Sequence, residues 1–218
     1  MQKKNKSGNV LFVHNSVPEY RIEFWRELGN YYNLTLLITN KGLENKIYNL
    51  EKNEKGLNIL YLEDINLYSY LSESFEYVVL SPVDSITEFV IDLLILRLSK
   101  KYRYKCVYWS EKWEADWNCQ PVIKKAKNLI HRLLISTVAK RVDYCIAAGT
   151  KAEYYLKQIG IDNCSVAIDS STSPEIDGNI DIRTQFSIPK EKRIILFMGR
   201  LVSRKGCCLL IKALINEL

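Results

Sequence analysis

A glutamate between two tryptophans stands where a parallel sheet would place a ligand. Glu111 follows the β-prone run Lys105–Trp109, and Trp113 comes two residues later. Ligands of open α/β sheets bind outside the carboxyl ends of the strands. A carboxylate there can orient or deprotonate a hydroxyl group, and the rings of Trp109 and Trp113 can stack on the C–H faces of a sugar. The alternative is a loop carboxylate paired with Lys112 beside two core tryptophans.

Two further candidate groups lie near the first predicted strand. His14 ends the apolar run Asn9–His14, and Arg21 falls on the first turn of the helix that follows. His14 is either a buried, hydrogen-bonded histidine or a contact to a ligand. Arg21 is a candidate of the same kind, with a purely structural role as the alternative.

Apolar runs rich in β-formers alternate with amphipathic segments over residues 9–168. This alternation predicts an α/β domain with a doubly wound, Rossmann-like, mainly parallel sheet. Gly29-Asn30 should end the first helix, and Asp84 should cap the helix that begins at Ser85. We expect strands at Asn9–His14, Leu34–Thr39, Leu57–Leu62, Tyr77–Leu80, Lys105–Trp109, Val142–Ala147 and Asn163–Ile168, and the main helices at Tyr20–Leu28, Ser85–Ser99, Pro121–Lys140 and Thr150–Gln158.

The composition changes after residue 168, where a polar stretch without apolar periodicity begins. We expect a first domain at 1–168, a linker at 169–192 and the start of a second domain at 193–218. That start consists of a strand at Ile194–Met198, a loop and a helix from Cys207. One strand and one helix cannot bury a core alone, so the second domain is expected to be truncated.

The segment Ile194-Ile-Leu-Phe-Met-Gly-Arg-Leu-Val-Ser-Arg-Lys-Gly206 carries a family resemblance. Its order of apolar strand, G-R-L, K-G and apolar helix resembles the start of the C-terminal domain in retaining glycosyltransferases of the GT-B fold, family 4 (group 1). Residues 9–168 resemble the acceptor-binding N-terminal domain of that family. The likeness there rests on Val10–Arg21, with its P-x-Y-R turn, and on Val142–Thr150, a strand that ends in small residues.

The resemblance implies transfer of a sugar, with retention, from a nucleotide-sugar to a saccharide or a lipid-linked acceptor, as in the synthesis of envelope or capsular glycans. It implies no metal and no cofactor, since the nucleotide-sugar is a co-substrate and protein cations hold its diphosphate across an interdomain cleft. Fixed cations and a helix N-terminus stabilise charge on a departing diphosphate. By the resemblance, Arg200 and Lys205 hold the donor phosphates, and Gly199 leaves room for their approach. From their own positions in the predicted fold we expect Glu111 as the catalytic residue, with four residues at the acceptor: His14, Arg21, Trp109 and Trp113.

The chain also departs from the family pattern. The loop Asn15–Glu19 has no glycine, and the place where many members carry a histidine reads Tyr108–Trp113. The family's acidic motif for the donor sugar and ribose would lie beyond residue 218, so the donor site is expected to be incomplete and the chain inactive alone. Two alternatives stay open: a non-catalytic, acceptor-binding fragment, and a related GT-B nucleotide-sugar epimerase.

The composition of the chain and the distribution of its charges restrict the kinds of partner that it can bind. The chain is 47% hydrophobic and 26% charged, which argues against a disordered or collagen-like chain. Residues 97–141 hold twelve lysines and arginines against three acidic residues. This block is either a solvated helix face or a contact to an anionic membrane or a polyprenyl diphosphate, and no nucleic-acid-binding module accompanies it. A lipid contact would use Lys124, Lys125, Lys127 and Arg132 beside Ile123, Leu129, Ile130 and Leu133.

The sequence has neither a membrane-spanning stretch nor a C-x-x-C pair, and both features bear on the expected cellular location. The longest strongly apolar stretch, Phe89–Leu98, is too short to span a bilayer. The six cysteines form no C-x-x-C pair, which favours a reducing cytosol. We therefore expect a cytoplasmic protein, with the inner face of the plasma membrane as its place of peripheral contact.

Overall fold

Seven strands form one sheet in which every neighbouring pair is parallel. The computed structural model describes residues 6–40, 56–80, 83–113, 122–168, 181–199, 201 and 205–215, except the side chains of Glu19 and Lys124. The strand order β3-β2-β1-β4-β5-β6-β7 confirms the prediction of an α/β fold around a parallel sheet, and the arrangement is Rossmann-like. The strands are β1 (Asn9–His14), β2 (Asn33–Ile38), β3 (Asn58–Tyr61), β4 (Tyr77–Leu80), β5 (Lys105–Ser110), β6 (Tyr144–Ala147) and β7 (Cys164–Val166).

Helices flank both faces of this sheet. The described residues form α1 (Ile22–Tyr31), α2 (Leu67–Tyr70), α3 (Ile86–Tyr102), α4 (Val122–Ala139), α5 (Thr150–Gln158), α6 (Ile182–Gln185) and α7 (Cys207–Ile215), with 3₁₀ turns at Glu19–Arg21 and Leu62–Asp64.

The side chains of β1 alternate between two cores, because successive strand residues point to opposite faces. Phe12 packs with Trp25 of α1 on one face of the sheet. Leu11 belongs to the core on the other face, which α2 to α5 cover with residues such as Ile95 and Leu156. Burial on both faces explains why the strands are nearly continuous apolar runs.

The predicted N-cap of α3 and the predicted end of α1 were both wrong. Ser85, not Asp84, is the N-cap of α3, since its side chain accepts the Glu88 N–H at 3.2 Å. Glu88 in turn accepts the Asp84 N–H at 2.9 Å, which satisfies a second free donor. Helix α1 does not stop at Gly29-Asn30 but runs to Tyr31, since one glycine lowers helix stability without breaking the hydrogen-bond ladder.

The chain divides into two compact units, Met1–Thr172 and Ser173–Leu218. In the second unit the predicted strand Ile194–Met198 is irregular backbone. A strand needs a hydrogen-bonded neighbour, and no other described segment of this unit is a strand. The segment's side chains are correspondingly exposed, Leu196 by 70% and Met198 by 82%.

Candidate functional site

The strand order brings several candidate residues to one edge of the sheet. The chain reverses direction across the sheet at β1, with β2 and β3 on one side and β4 to β7 on the other. Open α/β sheets bind ligands at the carboxyl edge beside such a switch point. His14 is the last residue of β1, and Glu111 directly follows the last residue of β5.

Arg21 and Glu111 form an ion pair across this edge. Arg21 Nη2 donates to Glu111 Oε1 at 2.5 Å, although the two residues are 90 positions apart. The Arg21 N–H also donates to the Pro18 carbonyl oxygen at 3.0 Å, so the P-x-Y-R turn positions the side chain. The Arg21 side chain is 3% exposed and that of Glu111 is 37% exposed. A buried guanidinium requires such a partner, so Glu111 serves as the counter-charge of Arg21.

His14 is a buried, neutral histidine. Its ring nitrogen Nδ1 lies 2.7 Å from the Ser16 carbonyl oxygen, to which a protonated Nδ1 donates, and 3.3 Å from the Ser16 backbone nitrogen. Trp25 packs edge-on against the ring with centroids 5.6 Å apart. Burial and, secondarily, the Arg21 charge lower the pKa of His14 to about 4. The imidazole is therefore uncharged at neutral pH and packs in the core beneath the end of β1.

The two tryptophans beside Glu111 have different environments. Trp109 is 7% exposed and packs between Phe12 and Phe24, at ring centroid distances of 6.1 and 5.5 Å. Its ring belongs to the core, where no face is open to a sugar. Trp113 is 55% exposed, and the Lys151 ammonium lies 5.2 Å from the centre of its ring. Trp113 is thus the ring at this edge that a ligand can reach.

A cleft of about 440 Å³ opens between the ends of β5 and β6. It is lined by Glu111, Trp113 and the segment 148–152. Gly149 is the N-cap of α5, with a φ of 154° that favours glycine and no side-chain cap on the helix. The first-turn N–H groups of α5 are therefore among the donors at the wall of the cleft. The arrangement combines a carboxylate, an aromatic face, a lysine and backbone donors.

Sequence reasoning had not assigned a role to Gly149, Thr150 or Lys151. A signal for them was present, because Ala147-Ala-Gly-Thr150 is a run of small residues between a strand and a helix. Such a run lets a ligand approach the backbone at a helix N-terminus. The sequence alone does not show that β5 and β6 are neighbours in the sheet, and it is this pairing that places the turn beside Glu111.

The second unit holds the remaining candidates. Gly199 has a φ of 150°, and a Cβ built on it would lie 4.0 Å from Cδ of Lys205. The Lys205 side chain thus reaches back along the loop before α7 toward Gly199. Arg200 lies outside the described residues.

Comparison with protein-family models and with curated protein sequences gave no match. Among the described residues, no group of three His, Cys, Asp or Glu side chains is placed to hold a metal ion. The described helices likewise include none with the length and hydropathy needed to cross a bilayer. A functional assignment therefore depends on the motifs and on the geometry of the carboxyl edge.

Proposed function

We propose that this chain belongs to a retaining glycosyltransferase of the GT-B type, with its first unit binding the acceptor. The reaction is transfer of a sugar from a nucleotide-sugar to a saccharide or a lipid-linked acceptor. The observation that carries the proposal is the Arg21–Glu111 pair, which fixes a half-exposed carboxylate beside Trp113 at the ligand-binding edge of the sheet. The nature of the reaction comes from the resemblance of 194–206 to the family motif.

The acceptor side of the proposal depends on how Glu111 is held. A carboxylate fixed by a buried guanidinium keeps its charge and its orientation, so it is suited to accept a hydrogen bond from a sugar hydroxyl. The exposed face of Trp113 supplies an apolar surface for the C–H groups of the same sugar. His14 and Trp109 are both buried, so we assign them to the core beneath this edge rather than to contact with the acceptor.

The donor side depends on the loop between residues 194 and 207. Lys205 lies along the glycine at 199 and just before the N-terminus of α7. A mobile ammonium beside a helix N-terminus favours a diphosphate, whose negative charge increases as the sugar departs. By the resemblance, Arg200 contributes a bidentate contact to the same phosphates.

Titration calorimetry with UDP, GDP and ADP tests the donor side. We expect all three to bind the 218-residue chain through the diphosphate that they share, and binding to weaken about tenfold in Lys205→Ala, which removes one charged contact to phosphate. Lys190→Ala is the matched control, since it removes an exposed lysine of the same unit away from the loop. If no nucleoside diphosphate binds, or if both variants behave alike, the assignment of this loop to a donor diphosphate fails.

A non-catalytic sugar-binding module is the second candidate. One observation favours it: Glu111 is tied in an ion pair and His14 is uncharged and buried, so the edge of the first unit is better suited to hold a hydroxyl than to move a proton. Quenching of tryptophan fluorescence by sugars, measured together with the nucleotide titration, separates the two candidates. A module without transferase chemistry would show quenching that Trp113→Leu abolishes, and no nucleotide binding.

A further inference from the structure

Helix α4 presents an apolar face to solvent. Its inner side packs into the core through Ile135, Val138 and Ala139, as expected for a helix that covers a sheet. At about 100° per residue, the five large apolar residues on its outer side fall within an arc of about 120°. Their exposed fractions are 81% for Val122, 85% for Ile123, 54% for Leu129, 60% for Ile130 and 61% for Leu133.

Positive charge flanks this outer stripe. Lys127 projects from one border of the arc, and Lys125 and Arg132 lie along the other, by the same helix geometry. Arg132 is held in place by a 3.2 Å hydrogen bond to Gln158, with its guanidinium over the ring of Tyr155. The sequence of α4 contains no acidic residue. The helix thus combines an exposed apolar strip with cations on both sides.

Helix α3 packs against α4 and continues the same surface. Its outer side exposes Ile86 by 75% and Val90 by 57%, with Leu94 one turn further on. Arg97 and Lys101 follow at helical spacing and are also exposed. Because the sheet is parallel, both helices start at its carboxyl edge, so their apolar first turns lie on the side where Glu111 is found.

We propose that the outer faces of α3 and α4 form a docking surface for an anionic lipid bilayer. Apolar side chains that project from a helix with lysines on its flanks insert into the acyl boundary, while the ammonium groups remain among the head groups. A second copy of this chain fits less well, since a twofold contact would bring the lysines of α4 against their own counterparts. The inference does not depend on the sugar-transfer proposal.

Vesicle flotation of the 218-residue chain tests the surface. The chain is expected to float with vesicles that are roughly one-third phosphatidylglycerol and to stay behind with pure phosphatidylcholine, since the lysines need anionic head groups. Raised salt should weaken the binding. If the chain ignores the anionic vesicles at low salt, the proposal is overturned.

Two pairs of variants assign the binding to α4. A double variant, Lys125→Ser with Lys127→Ser, should weaken vesicle binding about thirtyfold. Its control is Lys6→Ser with Arg26→Ser, at and beside α1 on the opposite face of the sheet. The control removes equal charge and should leave vesicle binding unchanged. Ile123→Ser should weaken it about tenfold. Its control is Ile168→Ser, which lies after β7 and is 80% exposed, against 85% for Ile123. Equal losses in a variant and its control would place the lipid contact elsewhere.

Sedimentation velocity without lipid tests whether a second copy of the chain covers this surface instead of a bilayer. The chain should remain monomeric at concentrations where it binds vesicles. A dimer that Ile123→Ser dissociates would show that a second copy covers this face, and the lipid proposal would then be abandoned. Circular dichroism should be unchanged in every variant, because all the substituted side chains except the half-buried Lys125 are exposed.

Discussion

Asp92, on the inner side of α3, should make the free energy of unfolding fall as the pH rises through neutrality. The side chain is fully buried, and neither carboxyl oxygen has a hydrogen-bond partner among the described residues. Burial raises the pKa of Asp92 from 3.8 to about 8, and the nearby Glu88 carboxylate adds to the shift. The folded chain therefore keeps a proton on Asp92 at neutral pH, whereas the unfolded chain releases it.

The sign of the effect follows from that difference in proton binding. Between about pH 4 and pH 8 the folded state binds more protons than the unfolded state, so the free energy of unfolding falls as the pH rises. Each pH unit inside this window costs about 1.4 kcal/mol. From pH 5 to pH 8 the loss attributable to Asp92 should be a little under about 4 kcal/mol, because the slope levels off only near the folded pKa.

Asp92→Asn removes the titrating group with little change of shape. Urea unfolding, followed by circular dichroism at several values between pH 5 and pH 8, gives the free energy of unfolding of wild type and variant. The variant should gain a little under about 4 kcal/mol relative to wild type across this range, and contributions from His14 and other groups cancel in the comparison. Asp162→Asn, an exposed control, should follow the wild-type curve. Parallel curves for wild type and Asp92→Asn would show that Asp92 is ionised in the folded protein, which would refute the reasoning.

Three other measurements test the description of the edge and the core. Glu111→Gln should lower the free energy of unfolding by about 2 kcal/mol in urea titrations, because it leaves the Arg21 guanidinium buried without its counter-charge, and Arg21→Met in the same chain should restore part of the loss. The His14 ring signals in NMR should stay constant down to about pH 5, and the His14 contribution to stability should fade only as the pH drops from 6.5 toward 4, since burial lowers its pKa. Burial raises the pKa of Cys106 to about 12, so mass spectrometry should find exposed Cys208 alkylated by iodoacetamide long before Cys106.

Much of the fold of the first unit follows from local sequence patterns. The run at 9–14 contains consecutive β-prone residues and becomes β1 with the predicted bounds, and the segment 150–158 becomes α5 in the same way. Such elements are specified by their own residues and by burial on both faces. Ile194–Met198 shows the converse, since the same kind of run stays irregular where none of the described segments pairs with it as a strand.

The site was only partly predictable, because it is made by strand order. Local pattern singled out Glu111 and Arg21 separately, but their contact requires β5 to be two strands from β1, with β4 between them. Trp109 and Trp113 have the same residue type and nearly the same place in the sequence. Trp109 lies within β5, where both faces of the sheet are covered, while Trp113 lies beyond the strand end. The contact between Arg21 and Glu111 joins two separate segments, so no pattern within one of them predicts it.

The two proposals meet at the same edge of the sheet. In a parallel sheet each strand leaves at the carboxyl edge and the next helix starts there, so the first turns of α3 and α4 and the cleft beside Glu111 share one side of the unit. A bilayer into which Val122 and Ile123 inserted would therefore lie on the same side of the unit as this cleft. An acceptor carried on a lipid could then reach Trp113 without leaving the membrane surface. The same placement also explains how an outward apolar helix face can be retained, since it would be covered by lipid in the working state rather than by water.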